Sequence, residues 1–319
     1  MKRMRGILPH LLPLSSSSGR VIEREVRRFE AFADSFRNFR AHFDNERIFI
    51  EEPSDDSRGA VAGHLADGRY LLHAFKYQFG KKMCERAAFQ LLELFGSHLP
   101  VRKRDLAHIR MVFSSGRLDA REFVTTVFRN RGDRFLDIVR EHGMEEDLAT
   151  FWGVYLARLF RVRAARHLRE DIDFFDWRDW RKGFCPICGH WPAMAHVDPG
   201  ETSRTLWCLN CGTLWPLQRH QCSCCLNEDR RRLDLLGPVD EPSLRVQVCH
   251  DCREYLKEVC SAVHVDKFPF DAYFLGSHSL DLFARGQGFT HESALAVESD
   301  NTSSEAHLLT HRMRLPWDH

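Results

Sequence analysis

Cys185-Pro186-Ile187-Cys188, Cys208-Leu209-Asn210-Cys211, Cys222-Ser223-Cys224-Cys225 and Cys249-His250-Asp251-Cys252 fall within sixty-eight residues of a 319-residue chain. These four Cys-x-x-Cys pairs take eight of the eleven cysteines. A tetrahedral metal site takes four thiolates, and two such pairs supply one set. Four pairs in tandem therefore read as two sites. Nineteen residues separate the first pair from the second and twenty-three the third from the fourth, room in each case for strands and a turn. The ten residues between the second and third pairs read as a connector. The expected ligand sets are Cys185, Cys188, Cys208 and Cys211, then Cys222, Cys225, Cys249 and Cys252. An interleaved pairing satisfies the same count.

Two other chemistries use such cysteines. Disulfides persist in oxidising compartments. Here Lys2, Arg3 and Arg5 precede Ile7 to Leu14 in a weak imitation of a signal peptide, but Pro9, His10 and Pro13 break the apolar run and no small-residue cleavage site follows. The N-terminus reads as the loose tail of a cytoplasmic protein. Thioredoxin-like redox chemistry needs Cys-x-x-Cys at a helix start within a βαβ unit. After Cys188, Pro192 and Pro199 come instead of a helical pattern.

The four knuckles differ in one position. Gly189 and Gly212 follow the second cysteine of the first two pairs, where glycine reaches positive φ without steric cost. Leu226 and Arg253 stand there in the third and fourth, so the second site is expected to be the less ideal. Cys224, His220 and His250 lie beside its ligands, and the regular spacing makes them neighbours rather than ligands. Trp191, Trp207 and Trp215 are expected to cover the small hairpins.

Upstream, the pattern is helical. Val21, Val26, Phe29, Phe32 and Phe36 recur near helical spacing, and Pro53-Ser54-Asp55-Asp56 breaks it. Leu71, Phe75, Phe79, Met83, Ala87, Leu91 and Leu94 suggest a second helix over residues 70–99, ended by Pro100. Asp119 precedes a third stretch, and 145–169 carries a stripe of Leu148, Trp152, Tyr155, Leu156, Leu159 and Phe160. Arg161, Arg163, Arg166 and Arg169 read as a solvated face. Cys84 reads as a buried structural thiol. Phe174, Phe175, Trp177 and Trp180 are expected to seal the helices against the cysteine-rich part. The division implied is a tail (1–19), a helical domain (20–180), a metal-binding region (181–265), a C-terminal helical segment (266–289) and a disordered tail (290–319).

Composition limits the function classes. Forty-six basic and forty-five acidic residues give a net charge of +1, with no overall field to draw nucleic acid or an anionic membrane. Mean hydropathy is −0.40 and no apolar run approaches a membrane span. From Gly200 to Cys260 there are eight Lys/Arg against nine Asp/Glu, a net of −1, too sparse for a phosphate-tracking surface. A nucleic-acid-binding ribbon or general interaction module is thus the alternative reading. His167, His190 and His196 have no catalytic partner at motif spacing and no Gly-rich phosphate loop is present, so the chain does not read as an enzyme.

Four stretches carry a more specific resemblance: Cys185 to Pro192 (CPICGHWP), Arg204 to Cys211 (RTLWCLNC), Thr213-Leu214-Trp215 with Arg219 and Cys222, and Cys249 to Lys257 (CHDCREYLK). They resemble the formate dehydrogenase accessory protein (FdhE-like) family with twin rubredoxin-like sites. Residues 266–289, with Leu280-Asp281-Leu282 and Gly288-Phe289, resemble the helix that follows in that family. The resemblance covers roughly residues 20–290, and Cys224 and the missing second-site glycines depart from it. It implies an α+β fold: a helical N-terminal domain, tandem rubredoxin-like or zinc-ribbon subdomains, and a C-terminal helix. It also implies a cytoplasmic maturation factor, monomer or homodimer, that binds the catalytic subunit of a molybdenum-containing formate dehydrogenase, without nucleic acid or membrane insertion. Two metal ions per chain follow, iron by resemblance, with zinc suiting the same tetrahedral sulfur. The matched residues Arg204, Arg219, Tyr255 and Lys257 flank the ligands as candidates for partner binding, or as braces of the knuckles.

Overall fold

The computed structural model describes residues 18–43, 49–51, 63, 65, 68, 70–72, 75–129, 131–171 and 179–291. Both expected tails, apart from residues 18–19 and 290–291, and Pro53–Asp56, Phe174, Phe175 and Trp177 lie outside them. The fold is α+β. A helical N-terminal part leads into a mixed sheet that carries both cysteine clusters, and helices close the C-terminal end.

Helix α1 (Ser18–Phe43) buries Ile22, Val26, Phe29, Phe32, Ala33 and Phe36. Val21, which the spacing placed on this stripe, is 42% exposed, because a period near 3.6 selects Ile22 ahead of Val26 and Phe29. The expected helix over 70–99 divides. Strand β1 (Phe49–Glu51) pairs antiparallel with β2 (Lys76–Gln78), and only Lys81–His98 forms helix α2. Lys76-Tyr77-Gln78 alternates exposed, buried, exposed, the two-residue period of a strand, within a longer spacing that imitates a helix. Helices α3 (Lys103–Ser114), α4 (Ala120–Phe128) and α5 (Gly132–Glu141) follow. The Asp119 carboxylate caps α4 by accepting from the backbone N–H groups of Arg121 and Glu122. Cys84 is fully buried in α2, and burial pushes its thiol up to about 12.

Helix α6 (Glu146–Asp171) is the axis of this part. Glu145 caps it, accepting from Leu148 N at 2.6 Å. Every residue from Leu148 to Val162 is buried, which a helix shows only when surrounded on all sides. Phe32, Phe36, Phe95 and Phe151 surround Tyr155 with ring centroids 5.0 to 5.8 Å away. Arg161, expected on a solvated face, is fully buried, while Arg166 and Arg169 further along the helix are exposed.

The sheet holds β3 (Met194–Val197), β4 (Ser203–Trp207), β5 (Leu214–Gln218), β6 (Leu233–Leu236), β7 (Leu244–Cys249) and β8 (Tyr255–Cys260) in the order β5-β4-β3-β8-β7-β6. All neighbours are antiparallel except β3 and β8, which run parallel with Ala195 opposite Glu258. Each half thus has the same sequence: knuckle, hairpin, knuckle, third strand. Trp207 stacks on Phe270 with centroids 5.0 Å apart and planes 9° apart. Trp215 is buried and its indole N–H donates to Lys182 O. Trp191 is half-buried against the core. Trp180 is buried at the junction, donating to Phe184 O at 2.8 Å.

The C-terminal segment forms two helices, α7 (Phe270–Gly276) and α8 (His278–Gly286), with a break at the buried Ser277. Each is anchored by one carboxylate. Asp271 of α7 pairs with the buried Arg158 of α6 and accepts from Tyr155 Oη at 3.0 Å. Asp281 of α8 accepts from Tyr255 Oη at 2.9 Å and Lys257 Nζ at 2.7 Å, both on β8. Burial opposes ionisation of Asp281, but the Lys257 charge and a His278 hydrogen bond outweigh it and hold the carboxyl well below its ordinary range.

Helix α7 also crosses α1 at close range. A β-carbon on Gly276 would come 2.4 Å from the backbone nitrogen of Val26 and 2.5 Å from its Cα. Backbone cannot yield as a flexible side chain does. Gly276→Ala is therefore expected to cost about 1–3 kcal/mol, seen as a melting temperature several degrees below wild type. An unchanged melting temperature would mean that the helices separate freely at this crossing.

Candidate metal centres

All four Cys-x-x-Cys turns share one backbone design. The N–H of the first cysteine in each donates to the carbonyl five residues on: Cys185 to His190, Cys208 to Thr213, Cys222 to Asn227 and Cys249 to Glu254, at 2.8 to 3.0 Å. The N–H four residues after that cysteine returns to its carbonyl: Gly189 to Cys185, Gly212 to Cys208, Leu226 to Cys222 and Arg253 to Cys249, at 2.9 to 3.2 Å. Closing this turn requires a left-handed residue after the second cysteine. Gly189 and Gly212 adopt φ of 73° and 70°, and Leu226 and Arg253 adopt 59° and 63°. They are the only non-glycine residues with positive φ among those described, and each such residue costs on the order of 1–3 kcal/mol. The second half keeps the same turn without its glycines.

The turns bring the thiols together in sequential pairs. Cys185, Cys188, Cys208 and Cys211 form one group and Cys222, Cys225, Cys249 and Cys252 the other, with the sulfurs of each group within 4.8 Å of one another. The interleaved pairing is not formed. Across the first group, Sγ of Cys185 lies 3.5 Å from Cys211 and that of Cys188 3.4 Å from Cys208. Across the second, Cys222 to Cys252 is 3.6 Å and Cys225 to Cys249 is 3.7 Å. Disulfide sulfurs would lie about 2.05 Å apart. A metal 2.3 Å from four tetrahedral sulfurs spaces them about 3.8 Å apart. Both sets therefore fit one tetrahedral ion of zinc or iron size.

No profile of a known protein family matches the chain. An FdhE homologue of Aquifex aeolicus is 26% identical over 262 residues, 79% of this chain and 84% of that protein. An FdhE homologue of Haemophilus ducreyi is 31% identical over 110 residues, a third of this chain and 34% of that protein. The crystal structure of the FdhE protein from Pseudomonas aeruginosa superposes with a TM-score of 0.52 at 17% identity, covering 89% of this chain and 96% of that one. The chain is thus similar in sequence to FdhE homologues and shares the fold of an FdhE protein.

The two cysteine groups differ in their cover. All four first-centre cysteines are buried. In the second, Cys222 and Cys249 are buried, Cys252 is half-buried and Cys225 is exposed. Residues 70–72 close over the first knuckle: Leu71 N donates to Pro186 O at 3.1 Å and Leu72 N to Ile187 O at 2.7 Å. The Tyr70 ring lies where a β-carbon on Gly189 would be, 2.4 Å from its nearest atom. Thr213 Oγ1 lies 3.1 Å from Cys211 Sγ. Nothing in the cysteine spacing points to Tyr70, Leu71 or Leu72, more than a hundred residues upstream.

The thiols within each group compete for charge. Burial pushes Cys185 and Cys188 well above the ordinary thiol range. Burial opposes ionisation of Cys211 as well, but hydrogen bonds from the other three thiols and Thr213 outweigh it and hold Cys211 well below that range. In the second group, hydrogen bonds from Cys222 and Cys224 hold Cys252 far down. The bond to Cys252 and then burial push Cys222 up, and burial raises Cys225 to about 11. Cys224 is a fifth thiol beside the second group rather than one of its four. His250 is engaged elsewhere, with Nε2 2.7 Å from Asp234.

The four residues flanking the ligands have distinct settings. Arg204 is fully buried, donates to Glu258 at 3.2 Å and braces the third knuckle through Gln221 O. Lys257 and Tyr255 are buried on Asp281, and Lys257 also donates to Phe274 O. Arg219 is half-buried, and its carbonyl accepts from Gln247.

Metal analysis of protein purified without oxygen should return about two ions per chain, by the four-thiolate count. Cys185→Ser should empty the first centre and spare the second. A chelator acting on cobalt-loaded protein should give two phases, with the exposed second centre stripped first, because solvent reaches Cys225 and the knuckles there carry strained residues. Loss of the first centre ahead of the second would overturn this ordering.

Proposed function

We propose that this FdhE-like chain is a formate dehydrogenase accessory factor and not an enzyme. It binds the catalytic subunit of a molybdenum-containing formate dehydrogenase in the cytoplasm, and the subunit becomes active only after that contact. The observation that carries this reading is the pair of four-thiol centres on a fold shared with an FdhE protein. In this reading each set holds one metal ion, iron or zinc. The eight ligands are Cys185, Cys188, Cys208, Cys211, Cys222, Cys225, Cys249 and Cys252. The bound ions close the knuckles and make a rigid platform, since metal binding by such ribbons is itself folding free energy.

The partner surface lies on the sheet with α7 and α8. Arg219, half-buried and in no ion pair among the described residues, contacts the subunit directly, whereas Arg204, Tyr255 and Lys257 hold the elements that present it. Leu282 of α8 is 56% exposed and offers an apolar contact. A preorganised platform binds with less loss of side-chain freedom than a mobile one. No helix among the described residues is long and apolar enough to cross a membrane, which agrees with action before export.

The test is a pull-down of the formate dehydrogenase catalytic subunit from the same cell, using intact protein and the Cys185→Ser and Cys249→Ser variants. Intact protein should retain the subunit and at least one variant should lose it. Deletion of the gene should leave the subunit made but inactive. If formate oxidation survives deletion and the pull-down returns nucleic acid, the nucleic-acid-binding ribbon replaces this reading.

A further inference from the structure

Arg161 of α6 is a fully buried guanidinium whose partners, among the described residues, include no carboxylate. Its Nε and Nη2 donate to Phe128 O at 3.1 and 2.9 Å, and Nη2 also to Val127 O, the last carbonyls of α4. Its Nη1 donates to Asn210 Oδ1 at 2.8 Å. Asn210 lies inside the Cys208-x-x-Cys211 knuckle and is itself buried. The next residue of α6, Val162, lies 3.3 Å from the position of a β-carbon on Gly212, in the same knuckle. One turn of α6 therefore backs the first centre. A buried cation without a counter-anion is costly. The anchor of Arg161, Asn210, is the residue immediately before Cys211, one of the four sulfurs of the first set. The other buried cations have acidic partners: Arg158 has Asp271, Lys257 has Asp281, and Arg204 has Glu258.

The second half supplies a comparison. The residue equivalent to Asn210 is Asp251, in the same place in the Cys249-x-x-Cys252 knuckle, and it too receives an arginine. Arg232 Nε lies 2.5 Å from Asp251 Oδ1, with both side chains between 40 and 50% exposed. There the carboxylate cancels the arginine's charge. At the first centre the neutral Asn210 positions the guanidinium and leaves its charge for the sulfurs.

A divalent ion on four thiolates carries a formal charge of about −2. We propose that Arg161 is a positioning residue for the first centre: its uncancelled positive charge stabilises the dianionic metal–tetrathiolate, so that this site holds a divalent ion in surroundings that exclude water. This rests on metal occupancy of the first cysteine set. With iron there, the ferrous form carries one more negative charge than the ferric form, so Arg161 raises the reduction potential.

The test uses the full chain carrying Cys249→Ser, which leaves the first centre to be read alone, loaded with cobalt and challenged with a chelator. Arg161→Gln keeps a hydrogen-bond donor and loses the charge, and it should release cobalt roughly ten- to a hundredfold more readily. Arg161→Lys keeps the charge and should stay near the parent. Asn210→Asp cancels the charge in place and should act like Arg161→Gln; if Arg161→Gln does not fold, this variant decides alone. Loaded with iron, the charge-cancelling variants should show a lower midpoint potential. If Arg161→Lys loses cobalt as readily as Arg161→Gln and the potential does not move, Arg161 only caps α4 and the inference fails. Equal retention by all variants also overturns it. A parent that takes up no metal at Cys185 to Cys211 overturns the metal reading as well.

Discussion

Taking the charge of four thiolates out of water is the constraint around which this fold is arranged. An ionised group transferred to a low-dielectric interior loses many kcal/mol of hydration unless it is paired. The first cysteine group is fully enclosed, so its charge has to be met inside the protein. A metal ion held by the four thiols would meet part of it. The guanidinium that α6 brings to Asn210 would supply more. Accordingly the most buried helix lies against the cysteine ribbon rather than standing apart from it. Arg161 joins the carbonyl end of α4 to a metal knuckle in a single side chain. Helical packing and the shape of that knuckle are thereby coupled.

The C-terminal helices are attached by similar means. Asp271 fastens α7 to α6, and Asp281 fastens α8 to β8. Buried ion pairs of this kind are weak evidence for stability, because desolvation offsets most of their attraction. They do set orientation: each carboxylate has one tyrosine and one cation arranged to receive it. Arg204, Arg245 and Glu258 make a third such cluster inside the sheet, beside the third knuckle.

Much of this was legible in the cysteine spacing. Regular pairs, gap lengths and the two glycines pointed to two sequential sites of unequal quality, because a left-handed turn residue and a two-cysteine step are local properties. Long-range features left no such mark. Arg161 reads as one of a row of helix arginines, and only the close packing of α6 on the second knuckle separates it from Arg166. Leu71, Phe75 and Phe79 carry an apolar spacing near that of a helix, yet residues 70–72 cap the first knuckle and 76–78 form a short strand, since their partners are Pro186, Ile187 and β1. Asp271 and Asp281 look like ordinary surface acids in a short helix. Their roles follow from cations more than twenty residues away.

The two halves of the sheet are related by a step sideways, not by a rotation that returns each to the other. Within each half the third strand runs parallel to the first, so β8 of the second half lies along β3 of the first as one more copy in a row would. An arrangement made by translation has no natural end. Its outer strands, β5 and β6, are the faces a further copy on either side would use. Each carries a device that discourages strand addition. β5 contains Pro216, which lacks an N–H to offer a neighbour. β6 is four residues long and bears Asp234. The chain thus holds two copies of one ribbon plan side by side, with both outer edges closed to a third.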